Sequence, residues 1–396
     1  MNDHNKKPIR GIKYISEAWG CGYGESARGY MRCLREAGIP LTWTPMVEGR
    51  GLGLWRQPFE GMDFEDDEFG DIVNRKIEYD VVILHVVPEY MSRLQERERG
   101  KTVIGMTVWE LDTLPQHWRA IMNALDAVIV PCKWNRDVFQ AGGITVPVGI
   151  IPHVIPPRVK ERTGPLARVA PDDYVFYSIA AWRERNAPHL TLRSFLAAFR
   201  AEDKAVLVLK TSSFNERAVR PGFWWYRVKR HFASTEREIH SIQRECESSA
   251  RIEVFTEPWP RASVEALHER GDCYVSLTHG EGWGLGAYEA AAFGKPVIIT
   301  GHGGQLEFLP ASLAYHVDFR LVPFDDPTMS RETRKNYSGY WAEPSIDDGA
   351  KLMRHVFANR EEARERGLGL QQYVRERFDT STITGKLVEF IRSVVP

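Results

Sequence analysis

The chain has 396 residues, longer than one domain of roughly 100–200 residues, so two or three domains are expected. Hydrophobic residues at 43% and charged residues at 27% are ordinary globular composition and exclude a disordered chain. With 52 basic and 53 acidic residues, bulk charge gives no basis for nucleic-acid binding. The five cysteines are scattered without a CxxC, which disfavours a disulfide framework or zinc site. The opening MNDHNKKPIRGIKYI lacks the apolar run of a secretory signal, and no stretch approaches 18 apolar residues. The expectation is a soluble, cytoplasmic protein.

In chain order, short β-branched runs predict strands at Ile12–Ser16, Asp80–Leu84, Thr102–Met106, Ala127–Val130 and Val148–Ile151. Helical patterns between them cover Glu25–Ala37, Leu114–Leu125 and Lys133–Ala141. Runs such as DVVILHVV are apolar throughout rather than alternating, as parallel strands covered on both faces require. A linker follows at Pro152–Pro171, rich in proline and charge. The pattern then restarts, with strands at Tyr174–Ile179, Ala205–Leu209, Ile252–Phe255, Cys273–Leu277 and Val297–Thr300. Helices are expected at His189–Ala198, Ala262–Arg270, Ala287–Phe293 and across Leu370–Val395. This alternation predicts an α/β fold of two Rossmann-like doubly wound domains, with a cleft between them. The expected boundaries are 1–158 and 159–375, with a C-terminal helix at 376–396.

The most informative segment is Thr278–Glu307, THGEGWGLGAYEAAAFGKPVIITGHGGQLE. A buried strand leads into a glycine-rich loop and then a helix near Ala287. Such a loop lets backbone amides approach an anion, and the helix N-terminus favours a phosphate. Glu281 in the loop and Glu289 on the first helical turn could face one ligand. Two carboxylates beside a phosphate-favouring loop need hydroxyl partners, so a sugar nucleotide fits.

The stretch EGWGLGAYEAAAFGKPVI resembles the E-x7-E signature of retaining glycosyltransferases of the glycogen-synthase-like "group 1" family, which have the GT-B architecture. The resemblance implies that Glu289 binds the nucleotide ribose and that Glu281 contacts the donor sugar near the reaction centre. It implies a diphosphate resting against Gly284, Leu285 and Gly286. Gly20, Gly22 and Gly24, between the first strand and helix, match the family's N-terminal glycine loop; a ligand-free turn is the alternative. No acidic residue stands at the end of the next strand, where LTWTPM occurs, and that disfavours a nicotinamide enzyme.

TVWELDTLPQHW (Thr107–Trp118) resembles a WE-x-D-x-LP pattern of one family branch. The loop offers Trp109, Glu110 and Asp112; Glu110 is assigned a catalytic cleft role, while the alternative for the other two is that Trp109 packs at the hinge and Asp112 caps a helix near Leu114. His85 is the nearest histidine candidate. The family's cation-bearing G-R-L…K-N stretch corresponds to SIAAWRERNAPHL, which lacks the G-R-L. Arg185 and Lys210 are the assigned cations, with Arg183 as the rival. The Asp-Asp pairs do not resemble a metal-holding DxD, so no metal and no cofactor are expected. Phe214–His231 mixes aromatic and basic residues and either packs on its own domain or touches a membrane surface. The final QQYVRERFDTSTITGKLVEF looks like the family helix that returns to the first domain.

The function expected is metal-independent transfer of a hexosyl group, with retention, from a nucleoside-diphosphate sugar to a glycan or lipid-linked acceptor. The alternatives are a sugar-nucleotide epimerase, a phosphorylase with a pyridoxal-phosphate lysine, or a non-catalytic nucleotide-sugar or glycan-binding subunit.

Overall fold

The computed structural model describes residues 9–18, 21–48, 56–58, 64–159, 164, 169–218 and 233–396. Gly20 and residues 219–231 of the aromatic–basic stretch lie outside them. The chain divides into two compact units. The first comprises Met1–Trp109, Leu114–Pro156 and Arg377–Pro396; the second comprises Glu110–Thr113 and Pro157–Glu376.

The first unit is built on a seven-stranded sheet in the order β3-β2-β1-β4-β5-β6-β7. Its strands are β1 (Ile12–Glu17), β2 (Leu41–Glu48), β3 (Arg56–Pro58), β4 (Val81–His85), β5 (Thr102–Met106), β6 (Ala127–Val130) and β7 (Val148–Ile150). All pairs are parallel except β2–β3. Every residue of β4, β5 and β6 is buried, which is why their sequences are apolar without alternation. Strand β2 runs past the LTWTPM stretch to Glu48. An acidic residue therefore does stand at that strand's end, and the argument against a nicotinamide enzyme drawn from its absence fails. The helix Thr380–Val394, capped by Asp379 accepting from the Thr382 amide, belongs to this unit. Gly149 makes room for it: a Cβ there would meet the Phe390 ring at 2.7 Å.

The second unit carries a six-stranded parallel sheet in the order β10-β9-β8-β11-β12-β13. These are β8 (Tyr174–Ile179), β9 (Ala205–Lys210), β10 (Arg251–Phe255), β11 (Cys273–Ser276), β12 (Val297–Thr300) and β13 (Tyr315–Val317). Taken from β8 as the first strand, this is the doubly wound order 3-2-1-4-5-6. An aromatic cluster including Phe176, Trp182, Phe195 and Phe199 fills its core, joined by Met353 and Val356 of the helix Ile346–Ala358. An antiparallel hairpin, β14 (Phe319–Pro323) with β15 (Tyr340–Pro344), follows the sheet. In such a sheet the chain reverses its winding between the first and fourth strands, and ligands bind at the carboxyl ends there. In this unit that place lies between β8 and β11.

Candidate functional site

The loops leaving β8 and β11 are stitched together. The Arg185 carbonyl accepts from the His279 amide at 2.9 Å and from Thr278 Oγ1 at 3.0 Å. Arg185 Nη1 donates to the Gly280 carbonyl at 2.7 Å and lies 3.2 Å from Glu281 Oε2. Asn186 Nδ2 donates to Glu281 Oε1 at 2.9 Å. The next residue, Ala187, is left-handed at φ 44°. For a residue with a Cβ that conformation is strained, and such strain persists where surrounding contacts enforce it.

Glu110 joins this cluster, its Oε1 3.6 Å from Arg185 Nη2. Its backbone is pressed against Gly280, where a Cβ would stand 2.4 Å from the Glu110 carbonyl oxygen. Burial pushes the Glu110 carboxyl above its ordinary value, and the Arg185 charge only partly offsets this. The structure thus brings Glu110, Arg185 and Glu281 together. Arg183 turns away: it is 53% exposed and pairs with Glu216 at 2.7 Å.

The glycine loop ends at Gly284, left-handed at φ 86°, which caps the helix Leu285–Ala292 without a side-chain hydrogen bond. No acidic residue occupies that helix's first turn. Gly286 is required by packing, because a Cβ would meet the Tyr274 hydroxyl at 2.5 Å. Glu289 sits on the second helical turn rather than the first, because the helix starts at Leu285.

Glu289 is 8% exposed and held from two sides. Arg261 Nη1 donates to its Oε1 at 2.7 Å, and His268 Nε2 lies 3.3 Å from its Oε2. Arg261 opens the helix Arg261–Arg270 and also pairs with Glu265 at 3.0 Å. His268 shares a 3.0 Å hydrogen bond between its Nδ1 and the Tyr177 hydroxyl. Burial alone would raise the Glu289 carboxyl; the close contact with His268 and the Arg261 charge outweigh it and hold the group below its ordinary value. Arg261 and His268 escaped the sequence reading because neither belongs to a local motif.

Lys210 ends β9. Its Nζ donates to the Thr211 carbonyl at 3.1 Å and rests 5.5 Å from the Trp259 ring centroid. Burial lowers its pKa. Three further expectations are corrected. Gly22 and Gly24 do not form a loop: the helix Gly22–Glu36 already begins at Gly22, so both lie in its first turn. Asp112 caps no helix, since the nearest one starts at Trp118; its Oδ1 accepts from the Tyr340 amide at 2.7 Å and from Thr113 at 3.1 Å. His85 is 1% exposed, bonded to Tyr14 at 2.8 Å and Ser26 at 3.3 Å, and burial lowers its pKa well below the ordinary value. It is a core histidine. Trp109 is buried in the first unit, edge-on to Trp118, with its amide and carbonyl both bonded to Asn135.

Residues 234–318 match the family model described as "Glycosyl transferases group 1". No curated protein matches the sequence. Solved structures do resemble it. HepE of Anabaena, determined with UDP and glucose, is similar at TM-score 0.65 and 11% identity, covering 97% of this chain and 100% of its own. Sucrose-phosphate synthase from Thermosynechococcus elongatus gives TM-score 0.67 and 15% identity, with 97% and 99% covered. A glycosyltransferase from Rickettsia africae gives TM-score 0.65 and 12% identity, with 99% of each chain covered. The chain has the GT-B glycosyltransferase fold, and the segment that matches glycosyl transferases group 1 spans the Glu281–Glu289 loop and helix.

Proposed function

We propose that the protein is a retaining, metal-independent glycosyltransferase that moves a hexosyl group from a nucleoside-diphosphate sugar to an acceptor hydroxyl. The observation that carries this reading is the arrangement around Gly284. A helix N-terminus with no acidic residue in its first turn is flanked by Glu281 before it and Glu289 after it. The amides suit a diphosphate, and the two carboxylates suit sugar and ribose hydroxyls. The structures resembled by this chain include HepE determined with UDP-glucose, which supports a sugar nucleotide as the donor.

In this mechanism the bond from sugar C1 to the diphosphate oxygen breaks, and the acceptor oxygen bonds to C1 on the same face. The acceptor proton passes to the departing phosphate oxygen. Arg185, with Lys210 at the same sheet edge, supplies positive charge to the leaving diphosphate, which needs it most in the transition state. Glu281 orients the donor sugar, Glu289 the ribose, and Glu110 the reacting end. The acceptor is a glycan or lipid-linked hydroxyl, and the reaction belongs to glycan, polysaccharide or glycolipid assembly in the cytoplasm.

A thermal-shift screen of UDP-, GDP- and ADP-sugars tests the donor, since a ligand of the native state raises stability by RT ln(1 + [L]/Kd). A shift with one nucleotide sugar and transfer that survives EDTA support the proposal. No shift with any of them contradicts it.

A further inference from the structure

Gln305 is fully buried in the short turn Gly304–Glu307, which follows β12. Its Nε2 donates to the carbonyls of Thr300 at 2.7 Å and His302 at 3.1 Å. Those two bonds use both amide hydrogens and fix the amide's orientation, because a reversed amide would set its oxygen against two carbonyls. Oε1 therefore faces the other way, and among the described residues it has no hydrogen-bond partner. Buried polar atoms in folded proteins are almost always satisfied, so an orphan acceptor calls for an explanation.

Gly284 stands opposite Oε1. A Cβ on Gly284 would lie 3.5 Å from Gln305 Oε1 and 3.7 Å from Glu281 Cγ. The two loops are tied together, since the Gly304 amide donates to the Glu281 carbonyl at 2.8 Å. The orphan acceptor thus lies buried against the N-terminal end of the helix Leu285–Ala292, beside Glu281, where a glycine places no side chain over it. An acceptor oxygen repels a phosphate and attracts a hydroxyl. At this place the hydroxyl available belongs to the donor's sugar.

We propose that Gln305 Oε1 accepts a hydrogen bond from a hydroxyl of the donor sugar, making Gln305 a specificity-determining residue beside Glu281. This rests on the donor-site reading given above.

The test compares UDP with UDP-glucose, and likewise GDP with GDP-mannose and ADP with ADP-glucose, by calorimetry on the full chain. In Gln305→Leu, the nucleotide sugar should bind about 3–10-fold more weakly while the free nucleoside diphosphate stays within about 2-fold, the span of one hydrogen bond. Gln305→Asn, which keeps an amide but retracts it, should show the same split and serves if the leucine variant does not fold. Deoxyfluoro analogues of the sugar complete the experiment. One position should weaken binding to the wild type and leave Gln305→Leu unaffected. Equal weakening of nucleotide and nucleotide sugar, or analogues that penalise both proteins alike, overturns the assignment to Gln305 alone and leaves Oε1 to an ordered water. Failure of every nucleotide to bind the wild type overturns the donor site and the assignment with it.

Discussion

Arg261 Nη1 stands 2.7 Å from Glu289 Oε1, joining residues 28 positions apart in the sequence. The glutamate that resemblance assigns to the ribose is therefore a paired carboxylate, with His268 against its other oxygen. Pairing holds it ionised and oriented, and an ionised carboxylate accepts stronger hydrogen bonds from hydroxyls than a neutral acid.

Arg261→Ala leaves Glu289 and Glu265 without their shared cation. Breaking a buried pair from one side is costly, and Arg261 is partly solvated, so a stability loss of about 1–3 kcal/mol is expected. Nucleoside-diphosphate affinity should fall in parallel. Urea unfolding and calorimetry check both, and an unchanged affinity would separate Arg261 from the ribose site.

Glu110 predicts the opposite sign of stability effect. Its folded pKa is raised above the unfolded value near 4.5, so the native state binds the extra proton. Stability is lost as pH rises from there through the folded pKa, and the cost is complete above it. Glu110→Gln should therefore raise Tm at pH 7 by roughly 1–3 °C, with the gain vanishing below pH 4.5. Transfer activity should drop at the same time, the pattern of a site residue kept against stability. A lower Tm at pH 7 would show that the Arg185 contact outweighs the cost of burial.

The cations divide by geometry. Arg185 touches Gly280 and Glu281, whereas Arg183 reaches out to Glu216. Arg185→Ala should lower kcat more than it raises KM, by about 10²–10³-fold, as for other preorganised charge-stabilising groups. Arg183→Ala should stay within about 2-fold by the same measure, because an exposed ion pair contributes little. Lys210→Ala should give a kcat-dominated loss smaller than that of Arg185→Ala, since its ammonium is engaged by the Thr211 carbonyl and the Trp259 ring. Steady-state kinetics of the three variants decides the order, and an essential Arg183 with a dispensable Arg185 would reverse it.

The parts legible in the sequence are those specified by local chemistry. Buried strands such as Val81–His85 announce themselves by unbroken apolar runs. The Glu281–Glu289 segment was legible because glycine, helix and strand signals occur in one stretch. The end of β2 was misplaced because the strand runs two residues beyond its LTWTPM stretch, to Glu48. The hairpin β14–β15 was missed because β14 is mostly exposed and carries no buried period. Long-range partners had no local signal: Arg261 and His268 meet Glu289, and Gln305 meets Gly284, through the fold of the sheet. Gly22 and Gly24 were misread because a glycine-rich helix start and a glycine loop look alike in sequence.

The central claim is that Glu289 and Glu281 divide one donor between them, ribose to the first and sugar to the second. Calorimetric titration of the preferred nucleoside diphosphate into the wild type, Glu289→Ala and Glu281→Ala tests it most directly. Charged hydrogen bonds of about 1.5–3 kcal/mol predict that Glu289→Ala weakens binding by roughly 10–150-fold. Glu281→Ala should bind the nucleoside diphosphate nearly as the wild type does while losing turnover. Unchanged affinity in Glu289→Ala, or equal losses in the two variants, would contradict the division.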